Sequence, residues 1–163
     1  MSSRWNYTTD EWELLYLTPL YVGTAIATTT RSGVLGSLRE ALTVATGPAS
    51  VAREYPNNEL IQALVARENS PRTRDLDAET FARDIVSARD RAFDACHRIC
   101  ELLDRKTNAV EAGEYKRWVL RVAETVARAA REGGFLGIGG GESAISEDER
   151  HLMESLRREM GLC

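Results

Sequence analysis

Apolar positions recur at helical spacing along almost the whole chain and nowhere alternate for long, so the pattern predicts helices and no sheet. The first run carries Trp12, Leu15, Tyr16, Leu20, Val22, Ile26 and Ala27, with Leu14, Leu17 and Tyr21 widening the stripe. A helix apolar on every side needs cover on every side, so this one is expected to be wrapped by others. Thr8-x-x-Glu11 offers its capping box, Ser32-Gly33 its stop, and Pro19 is expected to kink it or weaken one turn. A second capping box, Ser37-x-x-Glu40, opens a helix through about residue 46, where Gly47-Pro48 breaks or bends it. Tyr55-Pro56-Asn57-Asn58 reads as a turn, with Asn58 capping a short helix that buries Leu60, Ile61, Leu64 and Val65.

After a polar loop at about 69–77 comes the clearest periodicity. Phe81, Ile85, Ala88, Ala92, Ala95, Ile99 and Leu102 form a heptad-like seam on a helix over about 78–106. A further helix over about 110–132 places Trp118, Val119, Val122, Val126 and Ala129 on one side. These two are expected to form a long central antiparallel hairpin. Ser146-x-x-Glu149 starts the last helix, which buries Leu152, Met153, Leu156 and Met160 and stops at Gly161. The expected fold is all-α: a single-domain bundle of five or six helices spanning residues 1–163.

Between the last two helices, six of the twelve glycines crowd into residues 133–141. Such density implies a shaped loop, about 133–145, and Phe135, Leu136 and Ile138 give it apolar side chains that a passive linker does not need. Nucleotide binding does not fit it. Gly137-x-Gly139-x-x-Glu142 puts an acid where the dinucleotide fingerprint wants glycine, and no Gly-Lys-Ser/Thr is present. Glu147, Asp148 and Glu149 also load the next helix N-terminus with negative charge, which repels phosphate.

The segment Glu114–Glu149 resembles a group of small all-helical bacterial proteins of uncharacterised function. The likeness rests on Lys116-Arg117-Trp118, Glu132 through Gly140, and Ile145-Ser146-x-x-Glu149, and it brings no activity with it. More loosely, the chain resembles the TerB-like helical fold of tellurite resistance. That resemblance implies divalent-metal binding by acidic residues near the start of the last helix, here Glu142, Glu147 and Glu149, with His151 as a candidate nitrogen donor beside them. No acidic Asp-Gly turn precedes either Ser-x-x-Glu, unlike the pattern expected of that fold.

Charge and composition narrow the classes further. A net charge of −4 without a Lys/Arg cluster gives no footprint for nucleic acid or an anionic membrane. Three cysteines, Cys96, Cys100 and Cys163, two of them one helical turn apart, favour buried thiols in a reducing compartment over a disulfide framework. The apolar stretch from Leu14 to Ala27 follows Asp10, Glu11 and Glu13 where a signal peptide needs positive charge, so a cytoplasmic location is expected. Asp90, Asp94, His97 and Glu101 fall opposite the apolar seam and read as a solvated face. Glu147, His151 and Glu154 read likewise. Trp5 and Tyr7 precede the first helix and either staple it or meet a partner.

No serine has a nucleophile-elbow setting and no His has an identifiable orienting partner. The expectation is a non-enzymatic helical binding or scaffold protein without a cofactor. It is expected to contact a protein partner, or a second copy of itself, through Phe135, Leu136 and Ile138. Metal binding is the alternative.

Overall fold

In a computed structural model, residues 4–29, 47–66, 87–132 and 146–162 are described, apart from a few helical side chains. Among them are six α-helices and no strand, so the fold is an all-α helical bundle. The helices are α1 (Thr9–Thr29), α2 (Gly47–Ala52), α3 (Glu59–Val65), α4 (Ala88–Lys106), α5 (Ala109–Glu132) and α6 (Glu147–Glu159). A single 3-10 turn, Arg4–Asn6, precedes α1.

α1 is the axis of the bundle. From Leu14 onward none of its described side chains is exposed, as an all-round apolar helix requires. It packs most heavily on α5 and α4 and also touches α6. The end of α4 is tied to the start of α1: Lys106 Nζ donates to the Asn6 carbonyl, and Tyr7 Oη lies 2.9 Å from Thr107 Oγ1. α1 therefore runs back along α4. α5 leaves the same corner beside α1, since Tyr115 in its second turn reaches Leu15 in the second turn of α1. The hairpin of α4 and α5 is antiparallel, as expected, but α1 lies between its arms and they touch each other little.

The buried apolar residues, Ala95 apart, form one cluster that draws on every helix. The described part of the predicted seam, Ala88, Ala92, Ala95, Ile99 and Leu102, is wholly buried, and so are Trp118, Val119 and Val122 of α5. Phe81 and Ile85 lie outside the described residues. Gly47 and Pro48, read as breaking or bending a helix that starts at Ser37, are the first two residues of α2; the expected helix up to residue 46 lies outside the described residues. Val51 and Ala52 of α2 are buried, and it packs on α5 and α3.

Caps set the helix ends. At α1, Thr8 N donates to Glu11 Oε2 (2.8 Å) and Glu11 N to Thr8 Oγ1 (3.2 Å), a complete capping box. Tyr7 and Trp12 pack with ring centroids 5.8 Å apart, the hydrophobic staple that belongs with it. At α5 the cap is Asn108, whose Oδ1 accepts from Val110 N and Glu111 N. At the end of α6, Gly161 takes φ +66°, with Gly161 N donating to Arg158 O and Leu162 N to Arg157 O. That is the Schellman pattern, and glycine adopts its left-handed φ without Cβ strain.

Glu11 joins the α1 cap to α4 through Lys106 Nζ at 2.6 Å. Hydrogen bonding to Lys106 and to the Thr8 amide holds its carboxyl below the usual glutamate value. A depressed folded value means stability fully present above the unfolded pKa, about 4.3, and lost as pH falls through the folded one. Urea midpoints are thus expected to drop on acidification below about pH 5, with a shallower drop in Glu11→Gln. Identical acid limbs in the two proteins rule out this link.

Candidate functional site

The loop that the sequence marks for partner contact, with Phe135, Leu136, Ile138 and Glu142, lies outside the described residues. Its downstream boundary is well defined. Ser146 N donates to Glu149 Oε2 at 2.9 Å and Glu149 N to Ser146 Oγ at 3.2 Å, so the capping box that opens α6 forms as predicted. Glu149 is therefore turned back onto its own helix start and is buried. Glu147 and His151 stand on the solvent face, with His151 Nε2 3.9 Å from Glu147 Oε1. The fold separates Glu149 from the other two described candidates. Among the described residues no group of three or more His, Cys, Asp or Glu side chains is placed to hold a metal ion.

The polar line of α4 is a solvated face. Asp90, Asp94, His97 and Glu101 are all exposed, and Arg98 Nη1 pairs with Asp94 Oδ2 at 3.4 Å. His97 sits between two carboxylates, 3.7 Å from Glu101 and 3.2 Å from Glu159 at the end of α6. Beneath this face Cys96 is fully buried. Burial, with smaller contributions from Cys100 and Glu159, pushes its thiol up to about 12. Burial also raises Cys100, whose Sγ points at the Glu159 carbonyl. A thiol held above its ordinary pKa is a poor nucleophile, and Cys96 and Cys100 pack in and against the core.

The feature that sequence reasoning left undivided is the N-terminal corner. Trp5 and Tyr7 shared one pair of readings, staple or partner contact. The structure assigns one role to Tyr7 and leaves Trp5 bare. Tyr7 is buried, while Trp5 two residues away is 92% exposed. The turn that carries Trp5 is pinned on both sides. Arg4 Nη1 donates to the Tyr7 carbonyl at 2.9 Å and its guanidinium lies over the Trp12 ring. Lys106 Nζ donates to the Asn6 carbonyl at 3.1 Å and lies 5.7 Å from the Tyr7 ring centroid.

Val110, the other large apolar side chain exposed among the described residues, opens α5 at this same corner, three residues past Thr107. Nothing in the local pattern around Trp5 signals this. The deciding partners, Lys106 and Thr107, are about a hundred residues away in sequence. The arrangement offers binding chemistry rather than acid–base chemistry: an exposed indole on a turn whose next two carbonyls are hydrogen-bonded.

No described helix is long and apolar enough to cross a membrane. Comparison with known proteins found no matching family model, no matching curated protein and no matching solved structure.

Proposed function

We propose that this chain is a non-enzymatic helical binding or scaffold protein that uses the ends of its bundle to hold a protein partner or a second copy of itself. The observation that supports this reading most directly is Trp5, 92% exposed on a turn fixed by bonds to Arg4, Tyr7 and Lys106. A full indole left in water forgoes about 2–3 kcal/mol of burial. Tryptophan is the residue type that most often anchors protein interfaces, because it brings large apolar area with few rotamers to freeze. Val110, near the start of α5, is the other large apolar side chain left exposed among the described residues.

The glycine-rich loop at 133–145, with Phe135, Leu136 and Ile138, is the second contact we propose; it follows α5 in the sequence. The two contacts are separable by mutation. Trp5→Ser is expected to change stability by less than about 0.5 kcal/mol, since the side chain touches little. It is also expected to reduce self-association in sedimentation velocity, or to remove specific partners from a quantitative pull-down. Phe135→Ser with Leu136→Ser tests the loop in the same assays. If all variants sediment and capture as the parent does, the binding proposal is wrong.

A further inference from the structure

Proline at position 19 removes one backbone donor from the middle of α1, and in a continuous helix the acceptor left over is the carbonyl four residues back, Leu15. Leu15 is fully buried, so water cannot replace the missing bond. An orphaned carbonyl there is costly. Yet α1 runs through Pro19 without interruption from Thr9 to Thr29. The missing donor comes from another helix: Tyr115 Oη of α5 donates to the Leu15 carbonyl at 2.7 Å.

The Thr18 hydroxyl beside it donates to the Leu14 carbonyl at 2.6 Å. Tyr115 is itself fully buried, and its ring packs on Trp118 with centroids 5.6 Å apart. That packing aims the hydroxyl. Burial, opposed only in part by Thr18, keeps the phenol protonated well above its ordinary pKa, so it remains a donor across the physiological range.

We infer that Pro19 and Tyr115 make a latched joint in the central helix. Pro19 creates a weak plane across α1, and the Tyr115 hydroxyl closes it by standing in for the absent amide. The joint makes the continuity of α1 through Pro19 depend on the seating of α5. A small withdrawal of α5 frees the half of α1 beyond Pro19 to swing without unfolding the half before it. In an α-helix the bonds that cross this plane are those of the Leu20, Tyr21 and Val22 amides, which reach back to residues 16, 17 and 18.

Native-state hydrogen exchange on the full chain tests this with Tyr115→Phe, Pro19→Ala and the double variant. Tyr115→Phe keeps the ring and removes only the hydroxyl. It is expected to speed exchange at Leu20, Tyr21 and Val22 by on the order of tenfold or more, with a smaller change at Trp12–Leu15. Pro19→Ala restores an amide donor to Leu15. In that background the loss of the hydroxyl is expected to change those three rates by less than about threefold. Equal acceleration along the whole of α1, or the same acceleration with alanine at 19, overturns the latch. If Tyr115→Phe alone does not fold, the double variant is expected to fold, and a double variant that fails as badly overturns it too.

Discussion

Trp118→Ala is expected to cost about 3–5 kcal/mol, a large part of the stability of a domain this size. Trp118 is 1% exposed, sits in the face of α5 that meets the core, and donates from Nε1 to the Pro48 carbonyl at 3.2 Å. That bond gives the effect a direction as well as a size. The described part of α2 is six residues long, well below the length at which a helix persists alone, and it packs on α5 and α3. Its attachments are Val51 and Ala52 in the core, the Trp118 bond, and Gln62 Nε2 of α3 donating to the Ala52 and Tyr55 carbonyls. Trp118→Phe keeps an aromatic ring but loses the donor. It is expected to loosen α2 first, seen as faster amide exchange at Arg53, Glu54 and Tyr55, whose amides close its end. A urea-measured loss below about 1 kcal/mol for the alanine variant refutes this account of the core.

The same residue shows what periodicity can and cannot convey. Trp118, Val119 and Val122 are recognisable in the sequence as one buried stripe, because helical spacing reports which face leaves water. It does not report what covers that face. The pattern therefore identifies α4 and α5 as two amphipathic arms but does not reveal that α1 fills the space between them. The all-round apolar character of α1 held that information indirectly, since such a helix needs neighbours on opposite sides.

Ends governed by local side-chain chemistry were legible: the boxes at Thr8 and Ser146, the cap at Asn58, the stop at Gly161. Asn108 carries the same kind of signal, and α5 starts at Ala109, within one residue of the expected position. The division of roles between Tyr7 and Trp5 was not legible at all. It depends on Lys106 and Thr107 arriving from the far end of α4, and no window of neighbouring residues contains them. The loop residues Phe135, Leu136 and Ile138 stand where the sequence left them, as the proposed contact of a segment outside the described residues.

The second large effect concerns one buried amide that joins two helices. Asn58 is 1% exposed and uses both ends of its side chain. Its Oδ1 accepts from Ile61 N at 3.0 Å, capping α3, while Nδ2 donates to the Glu111 carbonyl at 3.1 Å and to Glu114 Oε2 at 2.9 Å on α5. Asn58→Ala removes a helix cap and leaves the buried Ile61 amide without its acceptor, so a loss of about 2–4 kcal/mol is expected.

Asn58→Asp separates the two functions. The acceptor for Ile61 survives, but the donor is replaced by a carboxylate pressed against the Glu114 carboxylate and the Glu111 carbonyl. At pH 7 this variant is expected to be at least as unstable as Asn58→Ala, although its cap is intact. Burial and the like charge of Glu114 raise the folded pKa of the new carboxylate above its unfolded value, about 3.9. The penalty is then present above the folded value and disappears as pH falls below the unfolded one. Acidification thus relieves this variant while weakening the parent through Glu11. Urea midpoints measured from pH 7 to pH 4 are expected to converge, and midpoints that fall in parallel show that the Asn58 amide is not the donor joining α3 to α5.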